Sequence, residues 1–234
     1  MRKRILLTPE TTYYPRTLYR YLEEKYIESF FSDGKLFLTT YQRCRSHENE
    51  VRKDEDEGKY DLHFQGSQQS MFLKRRSGDN SHMLCTSFSL NTKLFTHFKV
   101  DSCFRIDDPG GFILAVAKCI PTVKNIHSGS VQYLLQRNAR RQFEEKEFMP
   151  DFQRIIDVAQ QRVQGDLETV WREVHEDHAK RIEGLISKIS YYAKPMSYVN
   201  EAEYRMVWET DQPAAEGILI SCPEAVKYCS RVDA

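Results

Sequence analysis

The chain has 234 residues, 40% of them apolar and 12% aromatic, which suits one globular core with room for an insertion and excludes a disordered polymer. Its 34 Lys plus Arg balance its 34 Asp plus Glu, so no net field draws it to nucleic acid or to an anionic membrane; a polyanion would have to meet a local patch. A mean hydropathy of −0.62 implies extensive solvated helix or loop surface.

The opening Met1-Arg2-Lys3-Arg4-Ile5-Leu6-Leu7-Thr8-Pro9 is basic, but its three apolar residues are too few for the core of a signal peptide. No later stretch approaches a membrane span. The cysteines at 44, 85, 103, 119, 222 and 229 form no CxxC pair, so reduced thiols and a cytoplasmic location are the expectation.

From Thr17 to Thr40 the pattern predicts a strand through Leu18-Tyr19-Arg20-Tyr21, an amphipathic helix over 22–31, a stop at Asp33-Gly34 and a strand at Lys35–Thr40. The charged segment Arg43 to Gly58 reads as a loop or exposed helix. It holds His47-Glu48 and the run Asp54-Glu55-Asp56-Glu57, which lacks the spacing of a calcium loop and reads as solvated charge. Met83–Leu90 and Gly111–Ala117 are expected to be core strands, the second bounded by Asp108-Pro109-Gly110-Gly111. Phe95, Phe98 and Phe104 mark the piece between them as packed.

Residues 130–190 read as helical throughout. Val131, Leu134 and Leu135 open the pattern, which continues through Phe152, Ile155, Ile156, Ala159, Val170, Trp171, Val174, Ile182, Leu185, Ile186 and Ile189. Strand signals resume at Tyr191-Tyr192-Ala193, in Met206-Val207-Trp208 and at Gly217–Ser221. Strands, helices, then strands give an α+β fold: residues 1–129 as the N-terminal part of the core, 130–190 as a helical insertion and 191–234 as the strands that complete the same core.

Lys194-Pro195 has the spacing of a loop before Tyr198 to Trp208. Within that segment Glu201, Glu203 and Arg205 alternate, which on a strand puts two carboxylates and a guanidinium on one face. A surface charge ladder has the same pattern. His175-x-x-His178 could ligate a metal or be a polar helix face. Lys74-Arg75-Arg76 could touch phosphate or be ordinary surface. No Walker loop, strand-borne GxGxxG or GxSxG elbow is present.

Three segments taken together carry a resemblance. Leu18-Tyr19-Arg20-Tyr21, Cys85-Thr86-Ser87-Phe88-Ser89 and Glu201-Ala202-Glu203-Tyr204-Arg205 resemble, in order and spacing, the three signature strands of the ADP-ribosyltransferase superfamily. The chain is more closely similar to bacterial proteins that begin Leu-Tyr-Lys/Arg-Tyr, continue Gly-x-Leu-x-Leu-Thr (Gly34 to Thr39 here) and end Lys-Pro-x-x-Tyr-x-x-Glu-x-Glu-Tyr-Arg (Lys194 to Arg205). The likeness spans about 17–120 and 190–221, and its middle element is Thr-Ser-Phe-Ser where the superfamily has Ser-Thr-Ser.

The resemblance implies an ADP-ribosyltransferase-like mixed or antiparallel β core with a large helical insertion, NAD as co-substrate and no metal. Glu203, or Glu201 beside it, would stabilise the oxocarbenium-like ribose formed as nicotinamide leaves. Arg20 and Tyr21 would hold pyrophosphate or ribose, Thr86, Ser87 and Ser89 would fix the ribose or support the carboxylate, and Tyr19, Phe88 or Tyr204 would stack on nicotinamide. Arg205 would pair with Glu203. Arg43, Arg45 and Arg52 lie where superfamily members often carry a loop over NAD, although that loop could equally be paired with itself. The implied role is a bacterial toxin or phage-defence effector that modifies RNA, DNA or protein and is restrained by an antitoxin docked on the helical insertion. Two other classes share these residues: a non-catalytic RNA- or protein-binding module, and a metal-dependent nuclease built on Asp54, Glu55 and Glu57.

Overall fold

The computed structural model describes residues 6–7, 14–46, 54–65, 70–135, 138–142, 154, 157–161, 164–170, 172–173 and 190–232. They belong to two units: Met1–Gly58 with Gly78–Leu135 and Tyr191–Ala234, and Lys59–Ser77 with Gln136–Ser190. Residues 59–77 group with 136–190 in the second of these units.

The first unit begins with β1 (Leu6–Leu7), β2 (Leu18–Leu22), α1 (Glu24–Asp33), β3 (Lys35–Thr40) and the short α2 (Tyr41–Arg45). Helix α1 ends as its sequence predicts. Gly34 takes the left-handed conformation at φ 67°, and its N–H returns to the Phe30 carbonyl. A Cβ there would lie 2.4 Å from the Pro223 nitrogen, so the turn needs glycine for space as well as for φ.

Next come β6 (Ser81–Ser87), α3 (Thr92–Phe98), β7 (Ser102–Ile106), α4 (Pro109–Cys119), β8 (Val123–Ser130) and β9 (Gln132–Leu134); β4 (Lys59–Gln65) and β5 (Ser70–Arg76) belong to the other unit. The expected strand at 111–117 is the helix α4. Asp108 caps it by accepting the Gly111 N–H at 3.0 Å, and Pro109 occupies the first turn, where its missing N–H costs nothing. Phe112, Ile113, Ala115, Val116 and Ala117 are all buried, so the helix is apolar almost all round and lacks the polar stripe that reveals a helix in sequence.

The C-terminal part holds β11 (Ala193–Pro195), a 3-10 helix (Met196–Glu201), β12 (Glu203–Thr210), β13 (Ile218–Ser221), α5 (Pro223–Val226) and β14 (Cys229–Arg231). Lys194-Pro195, expected in a loop, lies in β11, which pairs in parallel with β9 and sets Lys194 opposite Tyr133.

The nine-stranded sheet runs β1-β8-β12-β6-β2-β7-β14, with β3 also on β6 and β13 on β3; all its pairings are antiparallel except β1 with β8. This α+β architecture centres on β6. One edge of β6 pairs with β12 from Ser81 to Ser87, while the other is shared: Ser87 meets Tyr19 of β2, and Met83 and His82 meet Thr39 and Thr40 of β3. Between these pairings the Cys85 carbonyl accepts the Arg20 guanidinium at 2.6 Å.

One sheet face carries the main core. Leu18, Leu84, Phe104, Ile106, Met206 and Trp208 pack there with Ile27 and Phe30 of α1 and with α4. Trp208 is fully buried, and its indole N–H donates to the Ile113 carbonyl at 3.1 Å. Burying each large side chain of this kind stabilises by roughly 1.5–3 kcal/mol.

In the second unit, β4 (Lys59–Gln65) pairs antiparallel with β5 (Ser70–Arg76) and parallel with β10 (Asn138–Gln142). Residues 157–159 and 167–170 are helical, with Val158 and Val170 buried together. The helical reading of the insertion is thus corrected at its start: 132–134 and 138–142 are strands. Val131, Tyr133 and Leu134 suit a strand as well as a helix, and the Val131 N–H donates to the Glu203 carbonyl at 2.9 Å. His47, Glu48, Arg52, Phe152, Ile155, Ile156, Val174, His175, His178, Ile182, Leu185, Ile186 and Ile189 lie outside the described residues.

Candidate functional site

Strand alternation sorts the expected site residues. Tyr19, Ser87 and Glu203 are register partners across β2, β6 and β12, so they form one row, and Arg205 follows two residues on, opposite Cys85. Tyr21 shares this face and Phe88 does not. Phe88 makes an edge-to-face contact with Tyr204, ring centres 5.5 Å apart, on the core side. Arg20 and Thr86 are also out of phase with the row. Arg20 bridges to the Cys85 carbonyl, and the Thr86 hydroxyl donates to the Tyr204 carbonyl at 2.8 Å.

Glu201 does not belong to the strand, contrary to the alternation argument. It ends the 3-10 helix, and Ala202 turns the chain through φ 43°, ψ 52° before β12 begins. A left-handed alanine costs about 1–2 kcal/mol. The neighbours hold it: Ser87 Oγ donates to the Glu201 carbonyl at 2.8 Å, and the Phe88 N–H donates to the Ala202 carbonyl at 2.9 Å. The turn returns the Glu201 carboxylate to the row.

The result is a buried line of alternating charge. Arg205 Nη1 and Nη2 donate to Glu57 Oε1 and Oε2 at 2.6 and 3.1 Å, while Nε donates to Glu203 Oε1 at 2.7 Å. Lys194 Nζ donates to Glu203 Oε2 at 3.0 Å and to Glu201 Oε2 at 2.5 Å. His97 Nε2 lies 3.0 Å from Glu201 Oε1. Glu57, Arg205, Glu203, Lys194 and Glu201 are buried, whereas the His97 side chain is 37% exposed, so the line reaches solvent at the imidazole. Three carboxylates and two cations leave one negative charge in excess. Two further bonds brace the strand end: the Glu203 N–H donates to the Tyr133 hydroxyl at 2.7 Å, and the Tyr191 carbonyl accepts from Arg205 Nη1 at 2.8 Å.

The electrostatics follow from this arrangement. Burial works against the Glu203 carboxylate, but Arg205 and then Lys194 overcome it and hold Glu203 well below the usual carboxylate range. Burial also works against the Lys194 ammonium, and Glu203 and Glu201 hold it above the ordinary lysine value. Burial raises the Glu57 carboxyl, with Arg205 opposing. Burial pushes the Tyr133 phenol up to about 12. A carboxylate kept ionised in a desolvated site can hold a hydroxyl and stabilise a neighbouring positive centre.

Lys194, Tyr133 and His97 were not singled out as site residues by the sequence, and Glu57 was named there only as a candidate metal ligand. Asp54 and Glu57 are buried, which corrects the reading of their run as solvated charge; the bidentate bond to Arg205 compensates Glu57 for its lost hydration. Among the described residues no group of three or more His, Cys, Asp or Glu side chains is placed to hold a metal ion. Arg45 donates to the Glu57 carbonyl at 2.8 Å and to Asp79 at 3.0 Å, while Arg43 lies over the Phe37 ring and 3.7 Å from Glu216. No helix among the described residues is long and apolar enough to cross a membrane.

Comparison of the chain with protein-family models, with curated proteins and with solved structures gave no match.

Proposed function

We propose that the protein is an NAD-dependent ADP-ribosyltransferase, acting as a bacterial toxin or phage-defence effector on an RNA, DNA or protein acceptor. The observation that carries this reading is the row Tyr19–Ser87–Glu203, in which the three resembling segments stand side by side on adjacent strands with the Glu201–Glu203 pair at its end. In this reading Glu201, the carboxylate beside the half-exposed imidazole, meets the ribose as positive charge develops at C1′. Glu203 lies one step further in, fixing Lys194 and Arg205 behind it. Tyr19 and Tyr21 flank the site on the face of the row, and Tyr19 is the aromatic ring available to stack on nicotinamide, whereas Phe88 stands on the core side against Tyr204. Arg20 acts as a strut of the divided sheet rather than as a pyrophosphate ligand. An inhibitory partner would dock on the second unit.

A second reading draws on a different observation. Every carboxylate and cation of the buried line has a partner, as a purely structural core requires, and a binding module for RNA or protein on this fold needs no more.

Labelled NAD incubated with the protein and either total RNA or total protein separates the two. The transferase releases nicotinamide and labels one pool, and Glu201→Gln lowers both by on the order of 10²–10³-fold with folding intact. Absence of release and transfer in the unaltered protein leaves the binding module.

A further inference from the structure

We infer that His97 is the base that takes the proton from the acceptor, and that the acceptor is therefore a proton-bearing nucleophile such as a hydroxyl and not a carboxylate; this rests on the transferase reading. His97 sits in the last turn of α3, its side chain 37% exposed, with Nε2 at 3.0 Å from Glu201 Oε1. Glu201 Oε2 is held by Lys194, which keeps that carboxylate an acceptor. A carboxylate that can only accept fixes the neutral imidazole with its proton on Nε2 and its lone pair on Nδ1. Among the described residues Nδ1 has no hydrogen-bond partner. The exposed end of the buried line thus ends in a base whose tautomer is set from behind, the arrangement a carboxylate–imidazole pair uses to deprotonate a nucleophile.

The chemistry balances. The acceptor oxygen forms a bond to ribose C1′ as the C1′–nitrogen bond breaks, and that electron pair leaves with nicotinamide, which becomes neutral. The hydroxyl proton passes to His97 Nδ1, and the imidazolium is met by Glu201 until the proton is released to solvent. A carboxylate acceptor would carry no proton to remove and would make this base redundant, whereas a nucleophile that must lose a proton needs it. A hydroxyl, which holds its proton tightly at neutral pH, is the simplest member of that class to test.

Methanol serves as the acceptor probe. The protein turning over NAD in methanol should form methyl-ADP-ribose. His97→Ala should lower that product by on the order of 10²-fold at unchanged KM for NAD, with partial recovery on adding imidazole. His97→Gln keeps a donor toward Glu201 but has no basic atom, and should fail equally. A second arm needs no turnover: nitrogen-15 spectra of labelled histidine should show the neutral form of the His97 ring with its proton on Nε2, and Glu201→Gln should remove that preference. Full methyl transfer by both His97 variants, or a proton on Nδ1 in the unaltered protein, overturns the role of His97 alone. No nicotinamide release by the unaltered protein sinks the transferase reading and this base with it.

Discussion

Lys194→Met tests the buried line at its centre. One ammonium serves two carboxylates, at 2.5 and 3.0 Å, and all three groups are buried. Removing one partner of a buried ion pair typically costs about 3–5 kcal/mol, because the partner left behind stays desolvated. With a urea slope of about 2 kcal/mol per molar, the midpoint should fall by about 1.5–2.5 M at neutral pH. Trp208, fully buried in β12, reports this unit by fluorescence once Trp171, the second of the two tryptophans, is replaced by Phe.

The pH dependence gives the sharper signature. In the unaltered protein the folded Glu203 carboxyl lies below its unfolded value, so its contribution is present above about pH 4.3 and is lost as pH falls through the folded value. Without Lys194, one carboxylate of the Glu201–Glu203 pair takes up a proton and its folded value rises above the unfolded one. Its contribution is then complete below about pH 4.3 and lost as pH rises through the raised value. Lys194→Met should therefore gain more stability than the unaltered protein does between pH 7.5 and pH 5, Glu57 with its raised carboxyl contributing the same gain to both. A midpoint loss under about 0.5 M, or no extra gain on acidification over the unaltered protein, refutes the dependence of both carboxylates on this lysine.

Three further outcomes are expected. Glu57→Gln leaves Arg205 with Glu203 as its one carboxylate and should lower stability by about 3 kcal/mol, read by the same Trp208 transition; a neutral result would mean that residues 54–58 do not complete the core. Gly34→Ala forces a side chain into the left-handed turn against Pro223 and should cost about 2 kcal/mol or more, measured as a fall in Tm, with an unchanged Tm contradicting the packing described. Burial pushes the Cys44 thiol up to about 12, so roughly one molecule in 10⁴ carries its thiolate at pH 8. Mass spectrometry should find the half-buried Cys44 alkylated by iodoacetamide far more slowly in the folded protein than after unfolding, and equal rates would contradict the raised thiol.

The sequence was informative where local rules decide. The order β2, α1, Gly34, β3 followed from an amphipathic run, a glycine stop and an alternating strand. It misled at α4, where burial on all sides removes helical periodicity, although Asp108-Pro109 is a helix-start signal that was there to be read. At the site, strand parity already separates Arg20 from Tyr19 and Thr86 from Ser87, so their opposite faces were legible. Glu57 and His97 were not. Each gains its role from a partner more than 100 residues away, and an acid in an acidic run or a histidine on a short helix carries no local mark of that partner.

The position of β12 between β6 and β8 has a consequence for synthesis. Both neighbours leave the ribosome well before residues 203–210, so the nascent chain holds two open strand edges and an unfilled slot at the middle of the sheet. Arg205 and Glu203 arrive with the strand that closes that slot. A polypeptide arrested before residue 203 therefore lacks the strand that closes the seam and, with it, the two charges that join Glu57 at one end of the buried line to Lys194 and Glu201 at the other.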